Sequence, residues 1–459
     1  MVHDKCGVIG IWNGSDAAHL AYAGLYAIQH RGQESAGIAV SDGERIRVHK
    51  QMGKVVDIFD ADTLKNKLIG NFAIGHTRYS TAGASEEENA QPLHAHLSVG
   101  EVSIAHNGEL TNAVTLQREL EEKGAIFQTS SDTEIVFHLM ALHTGNTFQD
   151  RLLHAAKQIK GAFSMVMLHK NQLIGIRDPD GFRPLCLGRK EDSYVLASET
   201  CALDLMEARY VREIEPGEVV VISRNGVESH RIADRQDGHF CVFELIYFSR
   251  PDSLFQGRSI LSIRRALGAK LAEEGPAENA EVVINAPDSS NAAALGYAAA
   301  SGIPYELGMI RNHYIGRTFI EPSQSIRDWR ARIKYNPVRS AIEGRSIVLV
   351  DDSIVRGTTS RRLIRMLREV GAREIHLRIS SPIFAHPCYY GIDTPNYDQL
   401  VGHRMGTTER IGEYLETDSL HYLSEEGLRD AVKESAGLEQ YCDACFTGNY
   451  PVPIDGSKK

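Results

Sequence analysis

One stretch of the second half combines an unbroken apolar run, two carboxylates and a small, hydroxyl-rich loop. It begins at Ser346 and reaches the pair Asp351 and Asp352. Its β-branched residues are typical of a strand that is buried on both faces in a parallel sheet. Apolar residues then recur at three- and four-residue spacing from Leu363, which predicts a helix that Gly371 is placed to end. A strand, loop and helix in this order direct backbone N–H groups and a helix dipole at an anion.

The apolar pattern from about residue 255 onward alternates between strand and helix. Helices are predicted at Ser259–Glu274 and Asn291–Ala300, and strands at Val282–Ile284 and Tyr305–Met309. This alternation favours a parallel sheet with both faces covered.

Short β-type runs dominate the first half and are separated by Gly and Asx residues. The predicted strands are Gly7–Trp12, Ile38–Val40, Phe72–Ile74, Val102–Ala105, Phe163–Leu168, Tyr194–Ala197 and Glu218–Ile222. The predicted helices are Ala17–Gln29, Val114–Glu122, Thr133–Leu142 and Phe148–Ile159. Strands mixed with helices, without strict alternation, favour a layered α+β architecture. The polar, turn-rich stretch Arg231–Gly238 is the predicted boundary between the halves.

Composition limits the class of protein. A chain of 459 residues is long for one core and predicts two or three domains. The net charge of −10 argues against nucleic acid as the main partner. We find no apolar run long enough to span a bilayer, and the N-terminus is too short and polar for a secretory signal. Seven cysteines do not suggest a disulfide scaffold. These features predict a cytoplasmic protein that binds neither membrane nor nucleic acid.

The loop after the two carboxylates lacks both the P-loop pattern and G-x-G-x-x-G. From residue types alone it fits an ordinary strand-to-helix turn or a cradle for a phosphorylated sugar. The whole string resembles the 5-phosphoribosyl-1-pyrophosphate (PRPP) motif of type I phosphoribosyltransferases. The resemblance implies that Asp351 and Asp352 hold the ribose hydroxyls. It also implies that the loop binds PRPP and its 5-phosphate through Ser353, Arg356, Gly357, Thr358, Thr359 and Ser360.

A cysteine, Cys6, opens the first apolar run, and alone it fits a structural core residue. Four motifs follow it in order: Gln29–Gly37, Gly75–Thr81, His106–Glu109 and Ser130–Glu134. Together they resemble the glutamine amidotransferase domain of the N-terminal-nucleophile hydrolase class. In that family the mature chain begins at the nucleophilic cysteine.

The chemistry of a thiol explains such a start. A cysteine ionises only partly at neutral pH and needs a nearby base. A free α-amino group, with a pKa of roughly 7.7–8, can serve directly or through water. That group exists only if nothing precedes Cys6. We therefore predict cleavage between Lys5 and Cys6, so that residues 1–5 form a propeptide.

The other roles in this half follow from the resemblance, position by position. Asn107 and Gly108 match the oxyanion hole, which presents N–H donors to the tetrahedral intermediate. Arg78 matches the residue that binds the glutamine α-carboxylate, a task suited to a guanidinium fork. Asp132 matches the acceptor for the α-amino group. Arg31 matches a loop near the nucleophile, and the resemblance places it among the residues that bind glutamine.

Two further segments of the second half are rich in groups that bind anions. The serine-rich turn before the helix at Asn291 fits an N-cap or an anion site. The resemblance makes it the pyrophosphate loop, with Ser289 and Ser290 binding PRPP and Ser289 joining the two carboxylates near Mg²⁺. The basic segment Arg311–Arg339 fits a solvated face, a nucleic-acid surface or a lid, and the resemblance implies a lid over PRPP.

Four cysteines remain to be explained. Cys442 and Cys445 form a C-x-x-C pair, while Cys241 and Cys388 stand far away. A C-x-x-C pair supports zinc, an iron–sulfur cluster or a redox dithiol. The distributed set resembles the [4Fe–4S]-bearing branch of PRPP amidotransferases and implies a structural cluster. Two other cysteines, at positions 186 and 201, are predicted core residues.

The whole chain resembles the glutamine PRPP amidotransferase family, in its iron–sulfur-containing, propeptide-bearing branch. That implies an αββα-layered, α+β glutaminase domain over 6–235. An α/β type I phosphoribosyltransferase domain over 236–459 follows, with a C-terminal cluster-binding segment. The expected reaction transfers ammonia from glutamine to C1 of PRPP and gives 5-phosphoribosylamine, the first step of purine synthesis. A homotetramer and purine-nucleotide feedback are expected from the family alone.

Three alternatives were compared with this function. An amidotransferase with another sugar-phosphate acceptor is disfavoured by the PRPP motif. A non-catalytic PRPP-sensing regulator is disfavoured by the intact first-half motifs and by the lack of a recognisable DNA-binding module. An iron–sulfur redox protein would carry both domains as vestiges.

Overall fold

Two antiparallel sheets form the centre of the first half. The structure is a computed structural model that describes residues 6–79, 85–233, 238–312 and 334–455. Within these ranges the first sheet has seven strands, in the order Arg209–Glu213, Cys186–Lys190, Ser193–Ala197, Gly7–Trp12, Phe72–Arg78, Ser35–Ser41 and Ile46–Met52. The second sheet, counted over the same ranges, has six: Gly226–Arg231, Glu218–Ser223, Gln172–Arg177, Gly161–His169, Gly100–Leu110 and Leu93–Leu97. Neighbouring strands are antiparallel throughout.

Three apolar cores hold this half together as four layers. The middle core lies between the sheets, where Val8 and Ile74 face Val166 and Val220. An outer core joins the seven-stranded sheet to the helical segments Ala17–Ala27, Val55–Ile58, Thr63–Lys67 and Thr200–Leu205. The other outer core joins the six-stranded sheet to the helices Ala113–Glu122, Glu134–Leu142 and Phe148–Ala156. Alternating side chains therefore bury both faces of each sheet, which gives the αββα layering.

A parallel sheet forms the centre of the second half. In the described residues its strand order is Val282–Asn285, Ser346–Asp351, Glu374–Ile379 and Ser419–Tyr422. One face packs on the helices Ile260–Glu274, Asn291–Ser301 and Glu425–Ala436. The other face packs on Arg339–Ile342, Thr358–Glu369, Val401–Met405 and Thr408–Leu415. Val348 and Val350 point to the first face and Ile347 and Leu349 to the second, as the unbroken apolar run predicts.

Short elements complete the described chain. They are the 3₁₀ segments Gln29–Arg31, Glu87–Asn89 and Tyr397–Gln399, the π-helical turn Glu244–Phe248, the short helix Ala444–Thr447, and two hairpins, Leu254–Phe255 with Arg258–Ser259 and Met309–Arg311 with Tyr335–Pro337. No helix of the described ranges combines the length and the apolar character needed to cross a bilayer.

The sequence-based prediction of a strand over Tyr305–Met309 is wrong in position. Tyr305 makes only a single bridge to Val283, and the chain then leaves the sheet. Pro304 has no N–H to donate to a ladder, and a Cβ at Gly308 would meet the Ile284 side chain at 2.4 Å. The strand that follows, Met309–Arg311, pairs with Tyr335–Pro337 instead.

The two halves share apolar contacts. The rings of Phe182 and Tyr390 stack with centroids 4.4 Å apart and planes 18° apart. Both belong to a core that also contains Ala162 and the inner faces of the second-half helices. The predicted boundary lies in Arg231–Gly238, of which residues 234–237 lie outside the described ranges.

Candidate active sites

The candidate nucleophile lies at the start of a central strand of the seven-stranded sheet. Cys6 is 7% exposed, and its Sγ donates to the Tyr79 carbonyl oxygen at 3.5 Å. The pKa of the thiol is raised overall, mainly by burial and further by the charge of Asp132. The contact with Tyr79 and the charges of Arg78 and Arg31 lower this pKa but do not outweigh the burial. The structure therefore brings together Cys6 and the three charged residues that the sequence assigned to its site. The thiol itself is held neutral and requires a base. Residues 1–5, which include the predicted propeptide, lie outside the described residues.

The two charges proposed for glutamine recognition sit at strand ends. Arg78 ends the strand Phe72–Arg78, which pairs with the strand that follows Cys6. Asp132 accepts a 2.8 Å hydrogen bond from the Leu110 N–H at the end of Gly100–Leu110. Both side chains are buried, at 3% and 8% exposure, so their charges are little screened by water.

The candidate oxyanion residues lie on the strand Gly100–Leu110. Asn107 is 1% exposed, yet neither its Nδ2 nor its Oδ1 has a hydrogen-bond partner among the described residues. A buried amide left unpaired costs about 1–3 kcal/mol, so the site is arranged for a polar ligand. The neighbouring His106 is fixed by its N–H to Gln91 Oε1, at 2.7 Å, and by Nδ1 to Thr133 Oγ1, at 3.1 Å.

Gly108 has no room for a side chain. Its φ is +149°, and a Cβ would lie 1.9 Å from the Ala162 carbonyl oxygen. On another side the backbone of Gly391, three residues after Cys388, packs against it. A Cβ on Gly391 would lie 2.8 Å from the Gly108 carbonyl carbon. A loop of the second half therefore supports the predicted oxyanion residue directly, a contact that the sequence did not indicate.

Arg31 is buried beside the nucleophile and binds its main chain. The Nε of Arg31 donates to the Cys6 carbonyl oxygen at 3.2 Å, and the exposed fraction is 2%. Nη1 donates to Glu199 Oε1 at 2.5 Å, and Nη2 donates to Glu244 Oε1 at 2.8 Å. Burial alone lowers the pKa of Arg31, but these two carboxylates outweigh it and raise that pKa. Arg31 thus contacts the backbone of Cys6, and neither carboxylate partner carries a motif that sequence inspection could find.

The acidic pair lies at the carboxyl end of the strand Ser346–Asp351. Burial and the charge of Asp352 raise the pKa of Asp351 to about 8. Burial raises the pKa of Asp352 as well, against hydrogen bonds from Ser289 and Ser353 and the charge of Arg264. Asp352 is buried and Asp351 is half-buried, and two carboxylates that repel each other in this way fit a divalent cation or a set of hydroxyl donors, because either would relieve the repulsion.

The serine-rich turn adjoins this pair. Ser290 occupies the N-cap position of the helix Asn291–Ser301, but its side chain does not cap the helix. Instead its single O–H lies within hydrogen-bond distance of two acceptors, Asp351 Oδ1 at 3.1 Å and the Ala286 carbonyl at 3.0 Å. The peptide bond between Pro287 and Asp288 is cis. The turn and the acidic pair therefore form one site, with Ser289 and Ser290 both directed at the carboxylates.

The loop that follows the acidic pair leads into the helix Thr358–Glu369. Gly357 holds the N-cap position with φ +75°, a conformation that favours glycine. Ser353 Oγ donates to Asp352 Oδ2 at 2.6 Å, and Arg356 Nε donates to Gln399 Oε1 at 3.2 Å. Thr358 is exposed, while Thr359 and Ser360 lie in the first turn, so the arrangement suits an anion at the helix N-terminus.

Most of the basic segment, for which the sequence predicts a lid, lies outside the described residues. Its two ends are described and pair as the hairpin of Met309–Arg311 with Tyr335–Pro337. Arg311 Nη1 binds Asp288 Oδ2 at 2.9 Å. Burial raises the pKa of Tyr335 to about 12, and the charges acting on it include Arg311 and both carboxylates of the acidic pair. The segment therefore starts and ends beside the predicted PRPP site, and Tyr335 and Asp288 join the candidate residues.

The four distant cysteines meet at the junction of the halves. Each is at most 8% exposed, and every pair among them is close enough to interact electrostatically. The backbones of Cys241 and Cys442 pair as an isolated parallel β-bridge. The Cys445 carbonyl accepts hydrogen bonds from the N–H groups of Ala385 and His386 at 3.0 and 3.1 Å. Burial, together with the mutual repulsion of the thiolates, raises the pKa of both members of the C-x-x-C pair.

The spacing of the sulfur atoms distinguishes the possible metals. In a tetrahedral zinc site with bonds of about 2.3 Å, the four Sγ atoms would lie about 3.8 Å apart. Within the described ranges, no three of these Sγ atoms lie within 4.8 Å of one another. A cube of four irons is larger than one ion and holds its thiolates further apart. The donor set therefore fits a [4Fe–4S] cluster better than zinc. Cys186 and Cys201 are buried in the first-half core, as predicted.

Comparison with known proteins identifies the family. Residues 76–205 match the model of a glutamine amidotransferase domain. The chain is 49% identical over 453 residues to amidophosphoribosyltransferase 1, chloroplastic, from Arabidopsis thaliana, spanning 98% of this chain and 79% of the relative. It is 47% identical over 456 residues to amidophosphoribosyltransferase from Bacillus subtilis (strain 168), spanning 99% and 95%. The chain belongs to the amidophosphoribosyltransferase family.

The structural comparison agrees. A glutamine PRPP amidotransferase from B. subtilis, solved in complex with ADP and GMP, matches at a TM-score of 0.92, with 46% identity over 98% of both chains. The predicted fold class is confirmed: a layered glutaminase domain precedes an α/β phosphoribosyltransferase domain. Amidophosphoribosyltransferases are glutamine-dependent glycosyltransferases that open purine synthesis, and this predicted activity is confirmed at the level of the family.

The contact between Gly391 and Gly108 generates a prediction. Replacing Gly391 by Ala would push the Gly108 backbone away, since the added Cβ has only 2.8 Å to its carbonyl carbon. We expect the glutamine-dependent rate to fall about tenfold or more, because a small displacement of a catalytic donor has effects of that order. Ammonia-dependent synthesis, measured with the same protein, should stay within about twofold.

Gly437→Ala is the matched control. Gly437 also has a positive φ, of +70°, but a Cβ there meets nothing within 4 Å. It should cost about 1 kcal/mol of backbone strain and leave both rates unchanged. Equal loss of the two rates in Gly391→Ala, or no loss of either, would contradict the proposed contact.

Proposed function

We propose that Cys6 releases ammonia from glutamine and that the second half transfers it to C1 of PRPP, giving 5-phosphoribosylamine, glutamate and pyrophosphate. One observation carries the proposal. A buried thiol near the charges of Arg78 and Asp132, and an acidic pair beside two loops suited to anions, occur in one chain whose halves share a core. Either site alone would fit many reactions, whereas the two sites together fit the transfer of ammonia from glutamine to PRPP.

In the first half Cys6 Sγ attacks the side-chain amide carbon of glutamine. The α-amino group of Cys6, freed by removal of residues 1–5, takes the thiol proton and returns it to the leaving ammonia. The Nδ2 of Asn107 and the N–H of Gly108 stabilise the oxyanion. Arg78 holds the α-carboxylate of glutamine, and Asp132 accepts hydrogen bonds from its α-amino group. Water then hydrolyses the acyl-enzyme to glutamate.

In the second half Asp351 and Asp352 hold the ribose hydroxyls, and the loop of Arg356 to Ser360 anchors the 5-phosphate. Ser289 and Ser290 receive the pyrophosphate. Mg²⁺, held by Ser289 and the two carboxylates, would neutralise the leaving pyrophosphate. Ammonia attacks C1 from the opposite face, so the configuration inverts.

Ammonia crosses between the sites through an internal channel. In bulk water at neutral pH most ammonia is protonated and cannot attack C1. Fusing the two domains, divided near residue 235, keeps the nucleophile neutral on its path. The observation that supports this is the close contact between the halves, in which the Gly391 backbone packs against Gly108.

The remaining proposals concern partners and cofactors. Cys241, Cys388, Cys442 and Cys445 hold a structural [4Fe–4S] cluster, which would fix three distant segments to one another; no step of the transfer reaction requires electron transfer. Purine nucleotides are the proposed feedback ligands, because the similar B. subtilis structure was solved with ADP and GMP. A homotetramer and a cytoplasmic location complete the proposal.

The central test replaces the nucleophile. Cys6→Ser should abolish glutamine-dependent synthesis and glutamine hydrolysis while ammonia-dependent synthesis from PRPP, followed by pyrophosphate release, is retained. Cys186→Ser, another buried thiol of the same sheet, is the control and should keep both activities. Retained glutamine activity in Cys6→Ser, or a wild-type protein that releases no pyrophosphate from PRPP, would contradict the proposal.

The base at Cys6 predicts a pH dependence. Because burial raises the thiol pKa, glutamine hydrolysis should increase with pH through the pKa of the α-amino group, roughly 7.7–8, and then level off. Intact mass should show that the active protein begins at Cys6. An active preparation whose mass still includes residues 1–5 would exclude this base.

If the four cysteines hold an iron–sulfur cluster, the Tm of the protein should depend on its iron content. Cys445→Ser should lower the iron content of anaerobically purified protein and its Tm, because one of four buried ligands is lost. Cys201→Ser, a buried cysteine outside the set, should leave the iron content unchanged. Zinc in place of iron in the wild-type protein would overturn the assignment.

A further inference from the structure

Two histidines and a glutamate meet on one face of a hairpin at the edge of the six-stranded sheet. His94 and His96 lie on the edge strand Leu93–Leu97, and Glu101 lies on the strand that pairs with it, directly opposite His96. Residues two apart on a strand share a face of the sheet, and so do residues opposite each other on neighbouring strands. The register of the hairpin therefore brings three side chains with metal-binding groups together.

The donor atoms of these three side chains lie at distances that one metal ion can span. Glu101 Oε1 lies 3.7 Å from His96 Nδ1, and Glu101 Oε2 lies 3.8 Å from His94 Nε2. Both distances are longer than a hydrogen bond. One donor atom from each of the three residues lies within 4.8 Å of the other two. In a tetrahedral zinc site with bonds of about 2.0–2.1 Å, donor atoms are about 3.4 Å apart, so small side-chain rotations would bring all three onto one ion.

The glutamate is held in place by groups outside the triad. Its Oε2 accepts a 2.6 Å hydrogen bond from the N–H of Ile46, which begins the edge strand of the other sheet. Its main-chain carbonyl accepts a 3.1 Å hydrogen bond from His169 Nδ1, and the His169 ring stacks on Phe148 with centroids 4.1 Å apart. Carboxylates that bind a metal are usually oriented by such outer hydrogen bonds. Glu101 therefore has the support expected of a ligand.

The donor set indicates which ion would bind. Two imidazoles and one carboxylate suit Zn²⁺ and the neighbouring late first-row ions, whereas Mg²⁺ and Ca²⁺ prefer oxygen ligands. Three protein ligands leave a fourth position, which faces solvent because the His96 side chain is 73% exposed. Within the described ranges, no other three His, Cys, Asp or Glu side chains bring their donor atoms this close together.

The triad is separate from the glutamine site. Glu101 and the candidate oxyanion residue Asn107 lie on the same strand, six residues apart, so about 20 Å of extended chain separates them. Polar residues on an edge strand can also serve only to prevent pairing with another chain. That purpose requires polarity, but it does not require a carboxylate that faces both imidazoles.

We propose that His94, His96 and Glu101 form a Zn²⁺ site that is distinct from both candidate active sites. The ion joins the edge strand of the six-stranded sheet to its neighbour. Through the hydrogen bond from Ile46 to Glu101, it also strengthens the contact between the edges of the two sheets. This inference is independent of the proposed function.

The test is zinc binding by the full-length, cluster-loaded protein. Zn²⁺ is titrated anaerobically, with excess Mg²⁺ present, in competition with a chromophoric chelator. We expect one zinc per chain, and we expect His96→Ala to weaken its binding by about 100-fold, because the loss of an outer hydrogen bond to a ligand already weakens metal binding about 10–100-fold. His96 is exposed, so this variant should fold normally. A wild-type protein that binds no zinc overturns the proposal.

Glu101→Gln separates ligation from a structural role of the side chain. Gln keeps an oxygen that can accept the Ile46 N–H but lacks the negative charge of a carboxylate ligand. It should weaken zinc binding by about tenfold or more. Saturating zinc should raise the Tm of the wild-type protein, because the ion binds only the folded chain, and should leave the Tm of both variants unchanged. An equal rise of Tm in the variants would contradict the site.

His154→Ala is the matched control. His154 and His143 also pair near the surface, with ring centroids 4.0 Å apart, but in the described part of the chain no third metal-binding group joins them. This variant should bind zinc like the wild-type protein.

X-ray absorption at the zinc edge identifies the ligands. Nitrogen and oxygen neighbours with an imidazole signature, reduced in His96→Ala, support the proposal. Sulfur neighbours would place the ion on cysteines and overturn it. Zinc binding that is equal in the wild-type protein, His96→Ala and Glu101→Gln would indicate an adventitious ion only and would overturn it as well.

Discussion

The structure depends on one buried guanidinium. Arg31 binds the carbonyl of Cys6 with Nε and uses its two terminal nitrogens for carboxylates of both halves, Glu199 and Glu244. Such a cation is stable in the interior only while both carboxylates stay in place. The backbone of the candidate nucleophile therefore depends, through Arg31, on a carboxylate of the second half.

The cysteine-bearing segments add a second constraint at the same junction. Arg183 donates to the Tyr390 carbonyl, two residues after Cys388, and the Gly391 backbone then packs on Gly108. Gly108, the predicted oxyanion residue, therefore packs against the loop that carries Cys388. A cluster bound to Cys388 would fix this loop. This placement is consistent with the structural role proposed for the four cysteines, since a displacement of the Cys388 loop would displace Gly108.

Local sequence predicted much of this molecule and missed what depends on tertiary contact. The strand before Asp351 was predictable because burial on both faces requires an unbroken apolar run. The helix after Gly357 was predictable because its buried face requires apolar residues at three- and four-residue spacing. The strand Met309–Arg311 was misplaced because its partner, Tyr335–Pro337, lies more than twenty residues away. Glu244 and Arg264 belong to no recognisable motif. The local sequence around a charged residue does not predict which distant residue will neutralise it.

The two proposed sites are connected only by the ammonia that passes between them, so the fate of that ammonia tests the proposed function most directly. Amide-¹⁵N glutamine would be supplied with PRPP and an excess of unlabelled ammonium, and the isotope in trapped 5-phosphoribosylamine measured by mass spectrometry. Transfer through the interior predicts product that carries ¹⁵N far above its fraction in the bulk ammonia pool. Product that carries only the isotope ratio of the bulk pool would show that ammonia escapes to solvent between the sites, which would contradict the account.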